Sequence, residues 1–252
     1  MVLPLGDIEK IRIVPLATYT LIALNVGMYL FQLDRGEGFT TSLAATPYEI
    51  THDYDLELPR DENRLRIPTQ EKPIPQRHVP FPVQLTMLTA MFLHSDPLHL
   101  AVNMLFLWIF GDNVEEVLGS MRYVLVYIVC GLAGTVVQTL INPNSVIPTL
   151  GASGAIAGIM GSYAVWFPRH RIRVLVFRYL IEMPALVVIG VWIVFQVWRG
   201  VGSIGHLGEI GGVAYLAHIG GAATGIVAAF LFYDRARAII LRNSRPELSV
   251  DP

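Results

Sequence analysis

Long uncharged apolar stretches, rather than amphipathic stripes, set the pattern of this chain. Residues 14–33, 123–141 and 146–168 carry no Asp, Glu, Lys or Arg. Residues 86–111 hold only Asp96, and 179–198 only Glu182, each near the start of its stretch. Residues 212–233 have His218 as their one ionisable group below tyrosine. A membrane-crossing helix needs about 20 mostly apolar residues. Six stretches qualify. The pattern therefore predicts an all-α, polytopic membrane protein, with a six-span domain over 14–233. A segment 1–13 precedes it, a tail 234–252 follows it, and a long loop 34–85 joins spans one and two.

Composition sharpens this. Of 252 residues, 53% are hydrophobic and only 15% charged, against about 25% charged in soluble domains. That excludes a disordered chain and a nucleic-acid binder with a basic face. A single cysteine, Cys130, excludes an intrachain disulfide and CxxC chemistry. The first span follows Lys10 and Arg12 and lacks a small-residue cleavage pattern, so it reads as retained. Arg169, Arg171, Arg173 and Arg178 lie between spans four and five, and Arg235, Arg237, Arg242 and Arg245 follow span six. Positive charge favours the cytoplasmic side, which puts both termini there and the loop 34–85 outside. That loop is rich in proline (Pro59, Pro68, Pro73, Pro75, Pro80, Pro82), as an extended, partly ordered segment would be. With its arginine-rich inner face and no transit peptide, the chain suits a bacterial plasma membrane.

Polar groups inside apolar spans are costly, so each needs a reason. In GASGAIAG, Gly151 to Gly158, Ser153 sits between Gly151 and Gly154 at a sharp start of span four. Free backbone N–H groups at a helix start can bind an oxyanion. Gly154, Gly158 and Gly161 also read as a plain small-residue packing motif. In AHIGGAATG, His218 precedes Gly221 and Gly225; a histidine bonded to a neighbouring helix is the competing explanation. In HSDPLHLAVN, His99 and Asn103 are one helical turn apart and share a face. Asp96 before Pro97 suits an N-cap, and His94 suits a structural role there.

Counted from the inner span ends at 1.5 Å per residue, Ser153 lies about 21 Å, His218 about 22 Å, His99 about 18 Å and Asn103 about 12 Å up. Three of them share a level in the outer half of a core about 30 Å thick. A serine and a neutral histidine at one depth, with donors nearby, suit acyl transfer. No acid lies at that depth, Glu182 being too near the inner end, so a dyad rather than a triad is expected. His99 and His218 also lack an acidic or thiolate companion there, so no metal and no cofactor are expected.

These motifs, in this order, resemble the rhomboid intramembrane serine proteases: HxxxN at His99 and Asn103, GDNVEEVLG after span two, GASG at Ser153 and AHIGGAATG at His218. The resemblance implies a six-helix bundle that cleaves peptide bonds of transmembrane protein substrates within the lipid bilayer. It implies Ser153 as nucleophile and His218 as general base, then acid. His99, Asn103 and the Ser153 backbone N–H would form the oxyanion hole, and Gly151 would shape the preceding loop. Gly221 and Gly225 would let span six close on span four beside Gly154. Glu115 and Gly119 fit the family's structural motif in the loop after span two.

The chain departs from the family in two places. Bacterial members often stack an aromatic, four residues after the nucleophile, on the histidine; here that position is Ala157, which leaves Tyr163 or an aromatic from a neighbouring span to hold His218. The Trp-Arg pair of the first loop in many members is also missing. Ala157 keeps open an inactive rhomboid-like protein that binds transmembrane clients without cutting them. A transporter would need a polar path over most of the depth, and spans one and three offer almost none. Span five, with Pro184 and Gly190, is the candidate gate for substrates. A loop around 142–148 would carry water to Ser153.

Overall fold

The computed structural model describes residues 2–8, 11–56, 64–65, 74–75, 78–203 and 214–243. In chain order these form β1 (Val2–Asp7), α1 (Leu16–Arg35), α2 (Glu37–Leu43), α3 (Pro47–His52), β2 (Arg64–Leu65), β3 (Ile74–Pro75), α4 (Thr86–Thr89), α5 (Pro97–Leu118), α6 (Ser120–Ile141) and α7 (Ser153–Trp166). There follow β4 (Arg171–Val176), β5 (Tyr179–Pro184), α8 (Ala185–Ser203), α9 (Tyr215–Leu231) and α10 (Tyr233–Asn243). Lys10, Pro59, Pro68, Pro73, Arg245 and the first two residues of the expected sixth span lie outside the described residues.

The fold is mostly helical. Among the described residues α1 and α6 are long and apolar enough to cross a membrane, and α9 with α10, bent by 72° at their junction, would make a third if the pair is one span. The other apolar stretches are helical in part. At 14 residues α7 is about 21 Å long, short of a core about 30 Å thick. The expected fourth span begins at residue 146, and residues 146–152 are not helix.

The stretch 86–111 also divides. A short helical segment ends at Phe92, and α5 begins afresh at Pro97. Asp96 is the N-cap: its side chain accepts from the His99 backbone N–H at 2.9 Å, and Pro97 supplies a ring with no N–H to satisfy. The helix then runs past 111, so GDNVEEVL is its last two turns rather than a loop. Gly119 closes it with φ 75°.

Tight packing centres on α7. Ala155, Ile156, Ile159, Met160 and Tyr163 are all buried. Helices α5, α6 and α9 surround it, and α8 lies on the far side of α9, also touching α7. A Cβ built on Gly221 would collide with the Gly154 carbonyl, and one on Gly225 with the Gly158 carbonyl. These glycines let α9 ride on the backbone of α7. Gly154 itself has ordinary room, its would-be Cβ standing 3.5 Å from the Ala217 oxygen. Ser162 Oγ donates to the Gly225 carbonyl at 2.7 Å, tying the same two helices lower down.

At the arginine-rich end the structure departs from an all-α fold. Strand β4 pairs antiparallel with β5 as a hairpin and with β1 on its other edge, giving the order β1-β4-β5. Ile172 and Val174 are buried while Arg171 and Arg173 face out, the alternation of a half-buried strand. Glu182 is therefore a strand residue, 3.6 Å from Arg171, and not part of a span. Pro184 ends β5, so it does not weaken α8; of the two residues named for the gate, only Gly190 lies inside that helix.

The same end is held by Glu115. Its buried carboxylate accepts the backbone N–H groups of Ala17 at 2.9 Å and Thr18 at 2.8 Å, the Thr18 hydroxyl at 2.8 Å and the Ser120 hydroxyl at 2.6 Å. These are N–H groups that the first turn of α1 cannot pair by itself. At the opposite end, the loop 34–85 is folded where described. Its α2 and α3 pack under the loop after α6, joined by a two-way backbone bridge between Ala45 and Thr149. Glu49 is buried there and accepts from Leu56 N–H at 2.9 Å; burial pushes its carboxyl above the usual range.

Candidate active site

Ser153 is the first residue of α7 and His218 lies in the first turn of α9. The glycine-lined contact between these helices brings them together: Ser153 Oγ is 2.7 Å from His218 Nε2. On the other side of the ring, Nδ1 is 2.8 Å from Gln196 Oε1, a residue of α8. An amide oxygen only accepts, so Nδ1 carries the ring proton and Nε2 presents a lone pair to the serine hydroxyl. His218 and Gln196 are 6% and 5% exposed, so water competes weakly for either bond.

Gly151 precedes this pair. Its φ of 122° is a region that L side chains rarely adopt, and a Cβ there would stand 2.9 Å from the His99 ring and 3.7 Å from Ser153 Oγ. His99 and Ser153 thus border the same glycine. Ser95 Oγ is 3.0 Å from His99 Nδ1 and donates to Asp96 at 2.7 Å. Asn103, one turn on, is buried, and its Nδ2 finds no partner among the described residues. His94 is buried edge-on against His99, ring centroids 5.2 Å apart, which suits a packing role. Ala90, Met91, Thr149, Gly151, Ser153 and Ala217 line a small cleft.

Of the two sources expected for an aromatic on His218, Tyr163 does not serve: it lies at the arginine-rich end, bonded to Asp7 and 3.2 Å from His170. The neighbouring-span alternative holds, as Trp192 of α8 lies over His218, ring centroids 5.6 Å apart and planes 33° apart. Sequence reading did not single out Trp192 by number, and it missed Gln196. Gln196 follows Trp192 one turn later on the same helix face. The available signal was Gln196 itself, the one amide in the apolar run 185–198. Among the described residues no three His, Cys, Asp or Glu side chains group as metal ligands.

The fold and the site define a helical membrane protein in which a half-buried serine, where one apolar helix starts, is bonded to a buried histidine. A family model described as Rhomboid domain matches residues 83–235, and the chain belongs to the rhomboid family. Among curated relatives it is 30% identical over 148 residues to Rhomboid protein 1, mitochondrial, of Saccharomyces cerevisiae, covering 57% of this chain and 40% of that one. It is 31% identical over 156 residues to the Rhomboid protease GluP of Bacillus subtilis, covering 62% and 29%. It is also 30% identical over 110 residues to Inactive rhomboid protein 1 of Drosophila melanogaster, covering 41% and 8%. The chain thus spans well under half the length of these relatives. They include both an organelle protein and a bacterial one, so likeness alone assigns a membrane and no particular compartment.

Proposed function

We propose that this chain is an intramembrane serine endopeptidase with six spans, both termini cytoplasmic, that hydrolyses peptide bonds in or near transmembrane segments of membrane-anchored proteins. The observation that carries this reading is the 2.7 Å contact between Ser153 Oγ and His218 Nε2. Ser153 is the nucleophile. Its proton passes to Nε2 as Oγ adds to the scissile carbonyl, and the imidazolium then protonates the leaving amine. An ester on Ser153 remains until water, activated by the same nitrogen, releases the second product.

The developing oxyanion is met by the Ser153 backbone N–H, the free amide of Asn103 and His99 Nε2. His99 donates from Nε2 when Ser95 gives its hydroxyl proton to Nδ1 instead of to Asp96. Gly151 keeps the space between them clear. The substrate carbonyl must be freed from its own helix to reach Ser153, since helical carbonyls are bonded internally. The arginine clusters support the orientation, and a bacterial plasma membrane is the membrane that such an inner face suits.

Labelling with a fluorophosphonate probe tests the reading without a natural substrate. The purified protein is expected to label, and Ser153→Ala and His218→Ala to lose all labelling. A folded parent that does not label overturns the proposal in favour of a client-binding, non-cleaving rhomboid, the reading that Ala157 keeps open.

A further inference from the structure

We infer that Gln196 is the positioning residue of the serine–histidine pair: its side-chain oxygen holds the proton of His218 on Nδ1 and so keeps Nε2 free to take the proton of Ser153. The inference rests on the protease reading of the site and adds a third member to what the sequence presented as a dyad.

Three observations converge on it. First, the contact is short and buried, 2.8 Å between Oε1 and Nδ1, with both residues almost fully enclosed. Second, Gln196 is the one polar side chain in the first fourteen residues of α8, with Arg199 and Ser203 following near its end, and the outer face of the helix, at Val191, Val194 and Trp198, is bare. An amide carried into such surroundings is costly unless it is bonded. Its bond to His218 is what offsets that cost. Third, Trp192 one turn earlier covers the imidazole at 5.6 Å. The single face of α8 therefore fixes both the plane of the ring, through Trp192, and its tautomer, through Gln196.

A neutral imidazole has one N–H and one lone pair, and which nitrogen carries which depends on the bond made at the other. Without an acceptor at Nδ1 the proton is free to sit on Nε2. The ring would then donate to Ser153 Oγ and could not act as its base. With Gln196 in place the bookkeeping closes. The serine proton moves to Nε2, the imidazolium holds two N–H groups, and the Nε2 proton leaves with the amine. The Nδ1 proton stays on the ring, donated to Gln196 Oε1 throughout, so the ring returns to its starting tautomer. An amide does this without burying a second charge in an apolar site, where a carboxylate would be expensive.

Two variants separate orientation from packing. Gln196→Met is close in shape and lacks the acceptor; Gln196→Glu keeps an acceptor. Both are purified in detergent, checked for an unchanged melting temperature, and compared for fluorophosphonate labelling rate and for kcat and KM on a model transmembrane substrate in proteoliposomes. Partners that orient a metal-bound histidine are worth about 10- to 100-fold and the carboxylate of a serine-protease triad about 10⁴-fold, so Gln196→Met is expected to lose at least about 10-fold in labelling rate and kcat with KM little changed. Gln196→Glu is expected to recover most of it, which a purely space-filling role would not predict. Nitrogen NMR of histidine-labelled protein, with the His218 signal identified by its loss in His218→Ala, is expected to show the Nδ1–H tautomer in the parent and a mixture in Gln196→Met. Gln196→Met labelling as fast as the parent, or a parent His218 with its proton on Nε2, overturns the inference. If the parent fails to label at all, the protease reading falls, and the tautomer spectrum still decides the role of Gln196.

Discussion

Asn103 carries a donor with no partner among the described residues. Its Nδ2 is buried one helical turn from His99, and an unpaired amide normally costs stability. A site that keeps such a group holds it for something that arrives, and an oxyanion forming on a carbonyl fits. Asn103→Ala is expected to lower kcat by about 10²- to 10³-fold with KM nearly unchanged, the usual loss for one oxyanion donor. A measured kcat within a few-fold of the parent would remove Asn103 from the site. Ser153, His218, His99 and Asn103 were legible as residues because polar side chains stand out in apolar spans. Gln196 was equally visible as a letter. Its meaning was hidden, because its partner is 22 positions away and the face it presents depends on how α8 lies against α9.

Between elements, the decisive contact is α9 riding on α7. Gly221 and Gly225 bring backbone against backbone, and the opposing atoms are carbonyl oxygens of a helix, which cannot rotate aside. Gly221→Val is expected to force the helices apart, at a cost of about 1–3 kcal/mol or more, and to abolish labelling of Ser153 while the chain still folds. Thermal melting in detergent read beside labelling checks this: full labelling would mean that the contact does not set the serine–histidine distance. At the other end Glu115 joins α1, α5 and the start of α6. Glu115→Ala leaves two backbone N–H groups and a threonine hydroxyl without their acceptor, and is expected to cost about 2–3 kcal/mol. Glu115→Gln, retaining an acceptor, is expected to melt nearer the parent. The spacing of both motifs was readable in the sequence, although the second was expected in a loop and forms the end of α5.

Across the whole molecule, the site lies at the end away from the arginine-rich sheet, under the loop that follows α6 and the folded parts of 34–56. The short α7 makes this possible. Because it begins at Ser153, the backbone before it is irregular, and the cleft beside Gly151 opens where a longer helix would have filled the space. Irregular backbone at such depth is tolerable only when enclosed by protein or lining a wet cavity. Here the bridge between Ala45 and Thr149 and the bond from Gly151 N–H to the Ala90 carbonyl, 2.9 Å, supply the enclosure.

The sequence by itself determined the helical membrane character, the family, the helix cap at Asp96–Pro97 and the glycine spacing of α9. Each of these is written in local hydrophobicity, caps and side-chain size, which act over a turn or two of chain. The tertiary structure alone decided that residues 171–176 and 179–184 pair as strands, and that His218 is faced by Gln196 and Trp192 of α8 rather than by Tyr163 of α7. An apolar run reads alike as strand or helix until a partner strand is present, and a helix face acquires meaning only from the neighbour packed against it.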